Sequence, residues 1–253
     1  MHLKARLETG GIVYGLFCST PAALSVEIIA AAGYDFVVID LEHTLISTEQ
    51  LAAMLLAARA SNIAALVRVA SPHQILQALD AGAEGIVFPH IHSAQEARDA
   101  VRLCHFSPLG ERGLNATLHT RYGRDDLARF TSIAQKCTLV VAMIENCEGI
   151  ENIDEIAAVE GVDVLLAGAA DLSQSVGLPW QTHHPDVRKK VLLVRAAAER
   201  HNRIFCGLPR IAGDFESDYH NSVRMFILGD DRGITRRAMA SHLVQHQAKV
   251  LEQ

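Results

Sequence analysis

The residues best equipped for chemistry are acids that close apolar runs. Leu139-Val-Val-Ala-Met-Ile runs into Glu145, and Val162-Asp-Val-Leu-Leu-Ala leads through Gly168-Ala-Ala to Asp171. Runs this apolar suit strands covered on both faces of a parallel sheet, and the segment between them has the length of a crossover helix. In such sheets ligands bind at the carboxyl ends of the strands. Glu145 and Asp171, brought to one edge with no basic residue between them in the chain, would repel each other. A divalent cation is the simplest reason to pair them. Each acid alone also has a plainer reading, Glu145 as a first-turn helix acid and Asp171 as an N-cap.

Other apolar runs end the same way. One closes on Asp40-Leu-Glu42-His43, another on Val67-Arg68, and a third on Pro89-His90-Ile-His92. Taken singly these have structural explanations: His43 as a satisfied loop histidine, Arg68 as an arginine paired with Asp40. Taken together they do not, because so many charges at one edge need mutual pairing or a ligand. The lysines are Lys4, Lys136, Lys189, Lys190 and Lys249, none at the end of an apolar run, so Schiff-base chemistry lacks its nucleophile. The last two runs end Gly207-Leu-Pro-Arg210 and Gly229-Asp-Asp-Arg232. The second is acidic where a barrel phosphate site needs glycines and a free helix N-terminus, which points to an unphosphorylated substrate.

These ends must be positioned by a repeating scaffold. Strand-like runs cover Ile12 to Phe17, Phe36 to Ile39, Ala64 to Val69, Gly85 to Phe88, Leu139 to Ile144, Val162 to Ala167, Ile204 to Leu208 and Met225 to Leu228. Amphipathic helical patterns separate them, such as Ala22 to Ala32, Thr48 to Ala60, His73 to Ala81, Ala94 to Cys104 and Pro185 to Arg200. Eight strands in strict alternation with helices predict an α/β protein, a (β/α)8 TIM barrel, as one domain over residues 1–253. No G-x-G-x-x-G follows the first strand, which argues against a doubly wound sheet. A loop insertion around residues 106–136 breaks the rhythm, irregular from Ser107 to Asp125 and then helical to Ala134. Such insertions usually serve function or a subunit contact.

Composition narrows the class. Hydrophobic residues make up 49% and charged residues 21% of 253, with a formal charge of -6, so there is no basic footprint for nucleic acid. The apolar runs are all broken by charges before reaching membrane-spanning length, and no signal peptide is apparent at the start. The five cysteines are scattered, without a C-x-x-C pair, and read as core thiols of a reducing, cytoplasmic compartment.

Asp40-x-Glu42-His43, Leu66-Val-Arg68, Leu79-Asp80-Ala-Gly82, Ile144-Glu145 and Gly168-x-x-Asp171-Leu-Ser173, in this order, resemble the HpcH/HpaI aldolase/citrate lyase family. The resemblance implies a barrel of the phosphoenolpyruvate/pyruvate-binding type whose last helix is exchanged in a homo-oligomer, a hexamer or a dimer-based assembly. It also implies a divalent metal on Glu145 and Asp171, Mg²⁺ first and Mn²⁺ or Co²⁺ as alternatives. His43 would be the acid/base, paired with Asp80. Arg68, with Asp40 beside it, would face a substrate ketone oxygen, and the backbone amides of Ala170 and Asp171 would hold a carboxylate. A 2-oxo acid such as pyruvate or oxaloacetate chelates a cation through its ketone and carboxylate oxygens. Charge developing on the ketone during proton abstraction or carbon-carbon cleavage is then stabilised.

The expected activity is that of a metal-dependent carbon-carbon lyase, most simply an aldolase releasing pyruvate and an aldehyde. The alternative is a citrate synthase of siderophore biosynthesis joining oxaloacetate to acetyl-CoA, and a more remote one is a non-catalytic binding barrel. Many sugar-acid aldolases of the family carry Ala-Pro after the Glu-His pair and Gln two residues before the metal glutamate. Here Thr44-Leu45 and Met143 stand instead. His90, His92, His119 and Arg121 are expected above the mouth, with His90 and Arg121 binding an anionic second reactant.

Overall fold

The computed structural model describes residues 2–251, with side chains through Gln247. Eight parallel strands close a barrel in sequence order: β1 (Val13–Cys18), β2 (Phe36–Asp40), β3 (Ala64–Arg68), β4 (Gly85–Phe88), β5 (Leu139–Ile144), β6 (Val164–Ala167), β7 (Ile204–Gly207) and β8 (Met225–Asp230). The expected (β/α)8 barrel is the fold. Strand limits differ from the sequence reading by one or two residues: β6 begins at Val164 rather than Val162, and β8 runs on to Asp230.

The helices are α1 (Leu3–Glu8), α2 (Ala23–Ala31), α3 (Thr48–Ala60), α4 (His73–Asp80), α5 (Ala94–Cys104), α6 (Leu127–Cys137), α7 (Cys147–Glu151), α8 (Ile153–Ala158), α9 (Ala169–Ser175), α10 (Pro185–Arg200), α11 (Asp214–His220) and α12 (Asp231–Leu251). Local chemistry sets several of their starts. Ser47 with Gln50, and Ser93 with Glu96, form capping boxes that satisfy first-turn amides of α3 and α5. No helix among the described residues is long and apolar enough to cross a membrane.

Alternation along each strand splits the core in two. Val38, Leu66, Val141, Leu166 and Ile227 point into the barrel, whereas Val37, Ile39, Val67, Val140 and Leu165 pack outward against helices. Phe36 fills the interior so closely that a Cβ on Gly15 would lie 2.2 Å from its ring, so β1 needs glycine there. Helix α1, not anticipated from sequence, stoppers the amino end with buried Leu3 and Leu7. It is tied down by the Leu3 amide donating to Glu84 (2.8 Å) and by Lys4 on Asp163 (2.6 Å). The plugged amino end leaves the carboxyl end of the strands as the open mouth.

Candidate active site

The residues that end the strands converge at this mouth. Asp40 and Arg68 are register partners on β2 and β3, both buried. The guanidinium grips the carboxylate with a hydrogen bond from Nε to Oδ1 and an ion-pair contact between Nη2 and Oδ2, each 2.9 Å. Burial alone would raise the Asp40 pKa, but the hydrogen bonds and charge of Arg68 outweigh it and hold it below the usual range. Asp40 Oδ1 also accepts the Glu42 amide (3.1 Å), and its backbone oxygen accepts the Thr44 hydroxyl, so the chain turns sharply just past β2. Arg68 lies over the Phe17 ring at 4.7 Å and points Nη1 toward Met143 Sδ (3.9 Å) and Glu42 Oε2 (3.2 Å).

The second group gathers at β4, β5 and β6. Glu145 follows β5 and is buried. Its Oε1 accepts the His90 amide (2.8 Å) and lies 3.2 Å from His90 Nδ1, while His90 Nε2 stands 3.1 Å from Glu42 Oε1. His90 takes a left-handed backbone (φ 54°), which turns the chain back over the mouth after β4. Gly168, at the start of α9, leaves room for this carboxylate, since a Cβ there would lie 2.4 Å from Glu145 Oε2. Burial, with the charges of Glu42 and Asp171 added, pushes the Glu145 pKa up to about 7, against the opposing His90 amide and ring.

The donor set fits a divalent cation. One ligand atom each from Glu42, His90 and Glu145 lies within 4.8 Å of the others. Buried Glu42 Oε2 accepts no hydrogen bond even though Arg68 Nη1 is 3.2 Å away, because that contact is not aligned. Acids held this close, one of them with a strongly raised pKa, await positive charge. Glu42 was part of the sequence motif but had no assigned role. Its signal was the Asp-x-Glu spacing at a strand end, which puts a second acid one turn beyond the first.

Some expected site residues lie elsewhere. Asp80 ends α4, which runs back to the amino end of the strands, and there it receives Arg112 Nη2 at 2.7 Å. Within one chain, therefore, Glu42 and not Asp80 is the acid nearest His43, with Oε2 at 3.7 Å from Nε2. Arg121 and His119 line a cavity of about 890 Å³ bounded by α1, α3, α4 and α6, under the barrel rather than above its mouth. Arg121 is paired to Asp125, and His119 Nε2 bonds the Leu79 carbonyl (2.8 Å) while its ring stacks on Phe130. His92 serves the start of α5, its amide donating to Glu96 at 2.8 Å. Ala170 and Asp171 are in the first turn of α9, whose first intrahelical bond runs from the Leu172 amide to Gly168. Among the described residues the amides of Ala170 and Asp171 thus have no partner and can meet a ligand. Lys4, Lys136, Lys189 and Lys190 sit in α1, α6 and α10, none at the mouth; the side chain of Lys249 lies outside the described residues.

The comparison with known proteins decides the family. The HpcH/HpaI aldolase/citrate lyase model matches residues 13–220, a span from β1 to the end of α11. The chain belongs to this family.

Its relatives are enzymes that make or break carbon-carbon bonds, and so is this protein. It is 42% identical over 202 residues to the 4-hydroxy-4-methyl-2-oxoglutarate aldolase cghB of Chaetomium globosum, covering 76% of this chain and 73% of that one. It is 35% identical to the pyruvate aldolase of Rhizobium etli over 189 residues, 74% of each chain. Among solved structures, the citrate synthase SbnG superposes with a TM-score of 0.92 at 42% identity, over 98% of both chains.

Proposed function

We propose that this protein is a metal-dependent class II aldolase that works through the enolate of a 2-oxo acid, pyruvate or oxaloacetate. The observation that carries this reading is the guanidinium of Arg68, held by Asp40 beside the cluster of Glu42, His90 and Glu145. Glu145 and Asp171 would hold the divalent metal, Mg²⁺ first among candidates, with Glu42 and His90 beside it. When bound, the cation supplies an electron sink for charge developing on the substrate's ketone oxygen.

The chain's own groups do the rest. Arg68 offers Nη1, the nitrogen not engaged by Asp40, to the ketone oxygen and stabilises its negative charge. Asp40 keeps that guanidinium in one orientation. The free amides of Ala170 and Asp171 take the substrate carboxylate. His43, exposed above Glu42, exchanges a proton with the second reactant. Asp231 accepts the Ser19 and Thr20 amides, which occupies donors that a phosphate would need and supports an unphosphorylated substrate.

A homo-oligomer is part of this reading. Every residue from Thr235 to Gln247 of α12 is exposed, including Met239, Leu243 and Val244, and a helix this bare is not stable without a partner surface.

A citrate synthase reaction is the second reading, favoured by the 42% identity to SbnG over 98% of the chain. Two of the three named relatives, the 4-hydroxy-4-methyl-2-oxoglutarate aldolase and the citrate synthase, carry in their names compounds with more than one carboxylate. The test is to follow Mg²⁺-dependent solvent deuterium entry into pyruvate, then identify products with pyruvate plus short aldehydes or oxaloacetate plus acetyl-CoA. No exchange and no product with any 2-oxo acid would overturn both readings.

A further inference from the structure

Most cations at the mouth are already engaged. Arg68 is gripped by Asp40, Arg188 pairs with Asp214 at 3.2 Å, and Arg232 bonds the Ser19 carbonyl. Arg210 is the exception. Its side chain is exposed and makes no ion pair or hydrogen bond among the described residues.

The loop that carries it is nonetheless held in place. The amides of Arg210 and Ile211 both donate to Asp214 Oδ2 at 3.1 Å, and Leu208 packs against the core inside the barrel. The segment after β7 is therefore anchored at the carboxyl end of the barrel. Protein surrounds the guanidinium on several sides, enough for burial to pull its pKa down against the charges of Asp230 and Asp171, yet solvent still reaches it. It stands in a concavity. Asp230 and Asp171 are near enough for their charge to act on it, but neither forms an ion pair with it among the described residues, and Asp230 Oδ1 accepts the Gly233 amide (2.6 Å) at the start of α12.

Topology then sets the spacing. In a closed barrel of eight strands in sequence order, β3 and β7 lie across from each other. The ends of β3 and β7, which carry Arg68 and the loop of Arg210, thus lie on opposite sides of the mouth, with the strands that lead to Glu145 and Asp171 on the arc between them. We propose that Arg210 binds a carboxylate of the second reactant, so that the enzyme prefers an acceptor that is itself an acid, such as another 2-oxo acid. This rests on the reading of the site as a 2-oxo acid aldolase. One arginine then addresses the ketone undergoing chemistry, and the other selects what it reacts with.

The test compares two acceptors of similar size, glyoxylate and glycolaldehyde, in Mg²⁺-dependent addition of pyruvate, using wild type, Arg210→Gln and Arg210→Lys. Deuterium exchange into pyruvate is measured in parallel. Loss of a charge-assisted hydrogen bond predicts that Arg210→Gln raises KM for glyoxylate about 10-fold to 100-fold. KM for glycolaldehyde should move less than about 2-fold, and Arg210→Lys should recover part of the loss as a point charge. A structural role would depress both acceptors together. Equal losses, or none for glyoxylate, with exchange intact would overturn the assignment of Arg210 alone. Wild type without exchange would overturn the aldolase reading and this assignment with it.

Discussion

Arg68 and Asp40 end neighbouring strands in register and meet through a hydrogen bond from Nε to Oδ1 and an ion-pair contact between Nη2 and Oδ2, each 2.9 Å. The pairing uses Nε and Nη2 and leaves Nη1 aimed across the mouth. A buried ion pair is weak evidence for stability, because desolvation offsets most of the attraction. Its value here lies in direction: Asp40, Phe17 and the β3 backbone leave the guanidinium one orientation.

That geometry predicts that Arg68→Lys is nearly as damaging as Arg68→Ala. An ammonium cannot bond Asp40 twice and still address a third oxygen. The loss should fall on kcat, by about 10²-fold to 10³-fold as for a lost oxyanion donor. Unchanged kcat with a raised KM would make Arg68 a binding residue only.

Glu145→Gln and Asp171→Asn should abolish tight Mn²⁺ binding, measured by titration calorimetry, and leave the fold intact. For Glu145→Gln the metal-free Tm should hold or rise, because a buried carboxyl repelled by Glu42 and Asp171 becomes a neutral amide. Full turnover by chelator-treated enzyme would sink the electron-sink mechanism.

Gly168→Ala tests the crowding around Glu145. The added Cβ would lie 2.4 Å from Glu145 Oε2 and 2.9 Å from Met143 Cε, so the carboxylate must move. Displacing a ligand should weaken Mn²⁺ affinity by about 10-fold to 100-fold. Unchanged affinity would mean that Glu145 is not a ligand.

His105 predicts an acid limb in stability, remote from the mouth. Its ring is 2% exposed, and neither nitrogen has a hydrogen-bond partner. Burial, aided by the charges of Lys4 and Arg112, lowers its pKa from 6.5 to about 4. The unfolded chain therefore binds the proton more readily. Stability should fall as pH drops from about 6.5 to about 4 and lose about 3 kcal/mol in all from this group. His105→Leu should flatten that limb in urea titrations at pH 7 and pH 5. An equally steep fall in the variant would assign it to other groups.

The barrel and half of its rim were legible in the sequence. Strands buried on both faces have to be apolar throughout, so a charge that ends such a run marks where the strand leaves the core. Asp40, Arg68 and Glu145 were found by that signal, and the ordered motifs identified the family. The motif with Asp80 gave no sign of where that residue lies within one chain. It ends a helix that returns to the amino end of the barrel, where Arg112 meets it.

Only the tertiary structure could decide which groups touch. The insertion carries no periodicity, so nothing in the order of its residues told that His119 and Arg121 fold under the barrel onto α4 and α6. Gly168 stood in a motif whose steric reason, Glu145 packed against it, is visible only in the fold, and Glu42 gained importance only when His90 and Glu145 closed around the same space. Arg210 stood in the sequence without a role, because being unpaired is a property of the space around a side chain. The order of residues determined where each strand ends and which charges it delivers. Closure of the barrel decided which of those charges neutralise each other and which are left for a ligand, since that depends on distances between strands far apart in the chain.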